Sequence, residues 1–193
     1  MRHSIALVTG TTSGLGHAAA RLLAIEGYRQ VIVTGRSLAR VQETAAQLAA
    51  ETKTQVFTPL ELELDAPTSV QSALAELVRL GRPIDFLLLN AGWIGGKERV
   101  LTAAGIEATQ APLIGHHQLT VGLLRANLLS HNARIVIAGS ESARGGGRTL
   151  VRLHRRGGPC GHAIPGRPKR CSGSPVAQRA KREVRAPPGA LRR

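Results

Sequence analysis

Apolar residues follow two alternating patterns along the first 140 residues of the chain. Short continuous apolar runs, typical of buried strands, alternate with longer segments in which apolar residues recur at helical spacing. The pattern predicts strands near residues 4–9, 31–34, 55–60, 84–89 and 134–138, and helices near 14–27, 37–52, 67–80 and 113–130. Buried strands separated by helices predict an α/β fold with a parallel sheet covered on both faces. Right-handed crossovers then favour a doubly wound sheet, with a ligand at the carboxyl ends of its strands.

A glycine-rich turn follows the first predicted strand and reads Thr9-Gly10-Thr11-Thr12-Ser13-Gly14-Leu15-Gly16. A strand that turns at glycine and restarts as a helix leaves backbone N–H groups free at the positive end of the helix dipole, where phosphate binds well. Gly10 allows the tight turn, Gly14 lets the backbone approach the phosphates, and Gly16 permits close packing of helix and strand. The predicted cofactor-binding residues of this turn are Gly10, Thr12, Ser13, Gly14, Leu15 and Gly16. The alternative is a purely structural strand–turn–helix, because the spacing differs from the general Gly-x-Gly-x-x-Gly motif.

Charge is distributed unevenly over the 193 residues. The formal net charge is +14, but residues 1–143 hold 12 Lys/Arg and 11 Asp/Glu, whereas residues 144–193 hold 14 Lys/Arg and a single acid, Glu183. The first part therefore has the balance of an ordinary enzyme domain, and we predict a boundary at 143/144. The second part is rich in Gly, Pro and Arg and lacks aromatic residues and any hydrophobic period, so we predict that this basic tail is mostly disordered.

Cysteine usage and apolar run lengths exclude several classes of protein. The two cysteines, Cys160 and Cys171, lie in the basic tail and indicate no disulfide framework. Together with His154 and His162 they match no familiar zinc-ligand spacing, and we predict no metal site. No apolar run approaches the roughly 20 residues of a membrane span. The residues Met1-Arg2-His3-Ser4 lead at once into the first predicted strand, which leaves no room for a signal peptide. We therefore predict a cytoplasmic protein.

Five separated motifs, in order along residues 4–143, resemble the N-terminal part of the short-chain dehydrogenase/reductase family, in its retinol-dehydrogenase and protochlorophyllide-reductase-like branch. They are the glycine turn at 9–16, Thr34-Gly35-Arg36, Leu64-Asp65, Asn90-Ala91-Gly92, and the segment 134–140 that ends in Ser140. The resemblance implies a Rossmann-like fold. It also implies that Asp65 contacts the adenine, that Asn90, Ala91 and Gly92 bind the cofactor, and that Ser140 is catalytic.

Each of these motifs also has a structural interpretation. Asp65 could be the N-cap of the helix predicted at 67–80. The Asn90-Ala91-Gly92 segment could be a plain turn after a strand, and Arg36 could be a solvated loop charge. We favour the cofactor interpretation for Asp65 and Asn90 because the glycine turn precedes them in the same pattern.

Arg36 indicates which dinucleotide is preferred. In NAD-selective domains an acidic residue at the end of the second strand accepts hydrogen bonds from the ribose, whereas an arginine accommodates a 2′-phosphate. A guanidinium suits phosphate through its charge and its forked donors. The window Thr34-Gly35-Arg36-Ser37 contains no acid. We therefore predict NADP(H) in preference to NAD(H).

Two family positions depart from the pattern. The resemblance places a tyrosine acid and a lysine four residues later, roughly a dozen residues after Ser140, where the ammonium lowers the pKa of the phenol. Residues 149–157 contain neither, and the chain's one tyrosine is Tyr28. The family's helix asparagine falls on Pro112, which removes an amide side chain and a backbone donor. We interpret the neighbouring His116 and His117 as packing residues.

We interpret the chain as a short-chain dehydrogenase/reductase-type oxidoreductase that uses NADP(H) on a small carbonyl or alcohol substrate, truncated after about the fifth strand and catalytically impaired. The basic tail is hypothesised to be frame-shifted. One alternative is a cofactor-binding remnant without activity. A second is non-specific nucleic-acid binding through the tail, with no specific nucleic acid as partner. A family-type homo-oligomer is in doubt, since loss of the tyrosine–lysine helix would expose an apolar face at Leu119, Leu123, Leu124 and Leu128.

Overall fold

The computed structural model describes residues 4–93 and 98–139. Five strands and four helices alternate along this part of the chain: β1 (Ile5–Val8), α1 (Gly14–Ile25), β2 (Gln30–Gly35), α2 (Leu38–Thr52), β3 (Phe57–Glu61), α3 (Pro67–Leu80), β4 (Ile84–Leu89), α4 (Ala111–Arg125) and β5 (Leu129–Ile137). The strands form one sheet in the order β3-β2-β1-β4-β5, and each neighbouring pair is parallel. The predicted parallel α/β fold is confirmed.

The sheet is covered on both faces, because successive side chains of each strand point to opposite sides. On one face Leu7 and Ile32 pack with buried residues of α3 and α4, including Leu77 and Leu119. On the other face Val8 and its neighbours pack against buried residues of α1 and α2. The connections β1–α1–β2–α2–β3 build the sheet outward from β1 in one direction, and β4 and β5 extend it in the other. The winding direction therefore reverses between β1 and β4, where such sheets bind ligands.

The boundary between α4 and β5 differs from the prediction. The helix was expected to run to residue 130, but it ends at Arg125, and β5 begins at Leu129 rather than near 134. Asn127 takes a left-handed conformation (φ 52°), which asparagine tolerates better than most residues. Its backbone N–H bonds the Leu124 carbonyl at 3.1 Å, so the helix closes there and the chain turns into the strand.

The expected apolar face on α4 is wrong for three of its four residues. Leu119 and Leu123 are fully buried and Leu128 is 7% exposed, whereas Leu124 is 54% exposed. Positions 119 and 123 are four residues apart and lie on the same side of the helix, which faces the sheet. At the edge of the sheet, β5 leaves Ile135, Val136 and Ile137 partly exposed.

The basic tail at 144–193 lies outside the described residues, and its predicted disorder and its boundary stay predictions. Within the described segments, no helix combines the length and the apolar character that crossing a membrane requires.

Candidate functional site

A cavity of about 740 Å³ lies at the carboxyl ends of the strands, at the point where the winding reverses. Its walls come from the segments that follow β1, β2, β3 and β4 and from the start of α4. The lining residues are Thr9, Gly10, Thr12, Ser13, Thr34, Gly35, Arg36, residues 62–66, residues 90–93, residues 100–103, Ala108 and Pro112. Eight of the sequence-predicted site residues are among them: Gly10, Thr12, Ser13, Arg36, Asp65, Asn90, Ala91 and Gly92.

Gly10 and Gly16 make the turn after β1 compact. Gly10 has a φ of +70°, and a Cβ built on it would lie 2.9 Å from both Cα and Cβ of Ala91. A Cβ on Gly16 would collide with the Gly10 carbonyl oxygen and lie 2.6 Å from Nδ2 of Asn90. Because a backbone atom blocks each position, Cα of Ala91 at Gly10 and the Gly10 carbonyl oxygen at Gly16, neither position has room for a side chain. Both glycines therefore bring α1 and the segment after β4 against the end of β1.

Gly14 has the opposite surroundings. Its φ is +61°, and no described atom lies within 4 Å of where its Cβ would be, so its outer face is open. Gly14 begins α1, and Ser13, the N-cap, makes no side-chain hydrogen bond to the helix. The first backbone N–H groups of a helix have no acceptor within it, and no acidic residue lies in the first turn of α1. This helix end therefore presents free donors and positive potential, while neighbouring Leu15 is 78% exposed.

Thr34 joins the glycine turn to β2. Its hydroxyl donates to the Val8 carbonyl oxygen at 3.2 Å and accepts from the Gly10 N–H at 3.3 Å. Its carbonyl oxygen accepts from the N–H of Thr11 at 2.9 Å and from the Thr11 hydroxyl at 3.0 Å. The entry to the turn is thereby fixed on the side that faces β2.

Thr9 and Asn90 join the same turn to β4. The Thr9 hydroxyl oxygen accepts from the backbone N–H groups of Asn90 at 2.8 Å and Ala91 at 3.0 Å. The Asn90 side-chain amide donates to the carbonyl oxygens of Thr9 at 3.2 Å and Gly10 at 3.3 Å. Asn90 is therefore more than a plain turn residue, since it binds the backbone of the glycine turn directly.

Arg36 lies at the end of β2 and is exposed on the cavity wall. Gly35 precedes it, and a Cβ there would lie 2.8 Å from Cγ2 of Thr12 and 2.9 Å from Cγ2 of Val41. The backbone at Gly35 is thus held close to the glycine turn, which places Arg36 beside it. Within the described segments, no carboxylate forms an ion pair with Arg36.

Asp65 lies in the segment that follows β3, lines the cavity and is half-buried. The alternative interpretation of Asp65 as an N-cap is wrong, because the N-cap of α3 is Ala66 and no side chain caps that helix. The wall around Asp65 packs tightly against α4: a Cβ on Gly115 would collide with the carbonyl oxygen of Leu64.

The segment 98–110 supplies residues 100–103 and Ala108 to another wall of the cavity. The N–H of Thr102 donates to the Ile106 carbonyl at 2.8 Å and that of Ala108 to the Val100 carbonyl at 2.9 Å, which closes a small loop. Val100 and Leu101 on this loop, together with Trp93, are about half exposed and line the cavity. This wall is apolar, in contrast to the glycine turn. On the same loop, the Thr109 hydroxyl hydrogen bond lowers the pKa of Glu107.

Pro112 lies in the first turn of α4, where proline is well tolerated. The helix begins at Ala111, so Pro112 lies in its first turn, where a backbone N–H has no acceptor within the helix. The expected loss of a backbone donor at Pro112 therefore has no consequence for the helix. One turn later His116 is buried, and burial lowers its pKa to about 4. His117 is exposed, so the packing interpretation is confirmed for His116 and wrong for His117.

Several predicted residues do not belong to this cavity. Ser140 lies outside the described residues, as do the cysteines and histidines of the tail. Tyr28 lies two residues before the amino end of β2 and packs edge-on against Phe86 with ring centroids 6.2 Å apart, at the other end of the sheet from the cavity. Among the described His, Cys, Asp and Glu residues, no three come together as metal ligands.

The chain is similar to known proteins over this region. The family described as short chain dehydrogenase matches residues 4–151. Oxidoreductase fscI of Fusarium equiseti is 35% identical over 116 residues, which are 59% of this chain and 45% of that protein. The chloroplastic protochlorophyllide reductase of Cucumis sativus is 34% identical over 145 residues, 72% of this chain and 36% of that protein. The chain thus spans less than half the length of either relative.

Solved structures agree with this likeness. The crystal structure of a short chain dehydrogenase from Escherichia coli CFT073, complexed with NADPH, superimposes with a TM-score of 0.62 at 25% identity, covering 76% of this chain and 62% of that one.

Proposed function

The chain belongs to the short-chain dehydrogenase family, and from this premise we propose that its cavity binds a nicotinamide dinucleotide, with NADP(H) preferred over NAD(H). The observation that carries the proposal is the open face of Gly14 beside free helix N–H groups, directly after Ser13, which lines a cavity large enough for a ligand. A pyrophosphate is a suitable occupant of such a helix end. The residues at the start of α1 therefore fit the pyrophosphate of a dinucleotide.

The preference for NADP(H) rests on Arg36. Arg36 directly follows the last residue of β2. It lines the cavity and forms no ion pair with a described carboxylate, so its N–H donors are available to a phosphate. A guanidinium binds the 2′-phosphate of NADP(H) through charge and paired hydrogen bonds. The Escherichia coli protein, whose structure holds NADPH, supports this choice by likeness.

The Leu64–Asp65 wall and the Asn90–Gly92 wall would hold the rest of the dinucleotide. By family resemblance Asp65 would contact the adenine, and Asn90, Ala91 and Gly92 would bind the cofactor. Both walls line the same cavity as the glycine turn. The hydrogen bonds of Asn90 to Thr9 and Gly10 hold the Asn90–Gly92 segment against the glycine turn.

The reaction class follows from the family: NADP(H), when bound, supplies or accepts a hydride at a carbonyl or alcohol carbon. Ser140 is the proposed catalytic residue of this chain. The tyrosine that would donate the proton is missing from the window after Ser140, and Tyr28 lies at the far end of the sheet. General acid catalysis contributes about 10²–10⁴-fold. We therefore propose carbonyl reductase activity near background, which leaves cofactor binding as the retained function. Cytoplasmic location and oligomeric state stay predictions.

The test of cofactor binding compares two glycines of the same helix. NADPH is titrated into the full chain and into Gly14→Val and Gly27→Val. Both glycines have positive φ and open space around the Cβ position, but Gly27 follows the carboxyl end of α1. Because both substitutions place valine at a positive φ with open space around its Cβ, Gly27→Val is a control for the backbone strain of Gly14→Val. We expect loss of NADPH binding in Gly14→Val alone. Undiminished affinity in a folded Gly14→Val protein would contradict the proposed site.

The test of catalysis uses NADPH oxidation with a panel of small aldehydes and ketones. We expect rates near background for the full chain. Robust turnover that Ser140→Ala abolishes would contradict the proposed impairment and would require another acid in this chain.

A further inference from the structure

The hydroxyl of Thr9 has four neighbours but one proton to give. Its two lone pairs are taken by the backbone N–H groups of Asn90 and Ala91, at 2.8 and 3.0 Å. Its proton then points to one of two acceptors: Nε2 of His116 at 2.8 Å or the carbonyl oxygen of Leu88 at 3.4 Å. The shorter distance assigns the proton to His116. A hydroxyl with this partner set requires Nε2 to be unprotonated, so the imidazole carries its proton on Nδ1.

His116 reaches Thr9 from α4, a different element from those that form the turn. The side chain is 6% exposed, and Gly115 beside it packs directly on the Leu64 carbonyl oxygen. Two consecutive residues of one helix therefore contact two walls of the cavity, the Leu64–Asp65 wall and, through Thr9, the Asn90–Ala91 wall. Burial keeps the imidazole neutral, as the acceptor role requires, since it lowers the pKa to about 4.

We propose that His116 is a positioning residue of the dinucleotide cavity: by accepting the Thr9 proton it fixes the Thr9 lone pairs on the N–H groups of Asn90 and Ala91, and so holds that wall in its binding shape. The binding part of the inference rests on the proposed function. The positioning part rests on geometry alone. Without the imidazole, the hydroxyl would rotate toward Leu88, and its lone pairs would leave the two amides.

Three substitutions of His116 distinguish a hydrogen-bonding role from a role in packing alone. His116→Gln keeps an acceptor at the reach of Nε2, His116→Asn keeps an amide that is too short, and His116→Leu keeps bulk without an acceptor. The neighbouring His117 is exposed on the same helix and supplies matched controls in His117→Gln and His117→Asn. Each protein is checked for folding by circular dichroism before comparison.

The first measurement is amide hydrogen exchange of the full chain without ligand, followed at Asn90 and Ala91. We expect selective loss of protection at these two amides in His116→Leu and His116→Asn, restored in His116→Gln. Unchanged protection in His116→Asn would overturn the proposal, whether or not the chain binds a dinucleotide. Nitrogen NMR of the imidazole supplies a second signature, since a protonated Nε2 would equally overturn it.

The second measurement is NADPH titration of the same set. Loss of one hydrogen bond in a positioning chain predicts about a three- to tenfold rise in Kd for His116→Leu and His116→Asn, with His116→Gln near the wild-type value. A Kd that is equal in all three variants contradicts the binding role. If the wild-type chain binds no NADPH, the proposed function fails, while the exchange result still decides the positioning role of His116.

Discussion

Acid is expected to destabilise the folded chain through a single buried side chain. Burial holds the pKa of His116 at about 4 in the folded state, against 6.5 for an ordinary histidine. Between these values the unfolded chain binds a proton at His116 and the folded chain does not. The free energy of unfolding therefore falls as the pH falls from 6.5 toward 4, and His116 has no such effect above this range.

The size of the effect follows from the difference between the two pKa values. One pKa unit corresponds to about 1.4 kcal/mol, so the His116 contribution amounts to about 3 kcal/mol when the range has been crossed. Marginal stabilities of small domains are about 5–15 kcal/mol. A loss of this size is therefore a large part of the stability of the folded chain, and urea unfolding is expected to resolve it.

The assay is urea unfolding, followed by far-UV circular dichroism, at several pH values from about 7.5 to about 4.5. Wild type is compared with His116→Gln, which cannot titrate, and with His117→Gln, which removes an exposed histidine instead. We expect the wild type and His117→Gln to lose stability together on acidification to about pH 4.5, and His116→Gln to lose about 2.5 kcal/mol less, because this pH lies just above the lower end of the range. Parallel stability curves for wild type and His116→Gln would refute the reasoning.

Three further substitutions test the site and the core. Arg36→Asp should weaken NADPH binding and favour NADH, as measured by titration with both dinucleotides. The control Arg40→Asp, on the exposed start of α2, should leave both affinities unchanged. Equal loss of affinity for both dinucleotides in Arg36→Asp would contradict the role of Arg36. Gly16→Ala should lower both the melting temperature and NADPH affinity, because its Cβ meets backbone, and an unchanged melting temperature would contradict that contact. Leu87→Ala, fully buried in β4, should cost about 2–5 kcal/mol in urea unfolding, against little change for the exposed Leu124→Ala.

The order of elements could be predicted because each buried strand is a short apolar run bounded by a turn signal. The predicted helix at 67–80 and the strand at 84–89 coincide with α3 and β4. The end of α4 was not predicted, because apolar residues lie on both sides of Asn127, at 123–124 and at 128–129, and the pattern therefore continues past it. The helix ends there through the left-handed Asn127, a backbone conformation that single-residue patterns do not reveal.

The glycine turn was found from its spacing, but the hydrogen bonds that hold it were not. Thr9 and Thr34 belong to motifs of the sequence, but those motifs assign no hydrogen bond to either side chain, and His116 was interpreted as a packing residue. Their partners lie far away in the chain: Thr9 and His116 are 107 residues apart. Such contacts depend on which strands become neighbours, and here β1 lies between β2 and β4. Of the three, Thr9 carries a signal that could have found it, since it is a polar residue directly after a buried strand in a doubly wound sheet.

The fluorescence of Trp93 can serve as an intrinsic probe of the cavity. It is the one tryptophan of the sequence, and it is 47% exposed on the rim of the cavity, outside both hydrophobic cores. Because its indole is already half in water, unfolding should shift its emission little. A dinucleotide entering beside it should instead quench that emission strongly. Under the proposed function, we therefore expect intrinsic fluorescence to follow cofactor occupancy more than folding, which circular dichroism follows in the same sample.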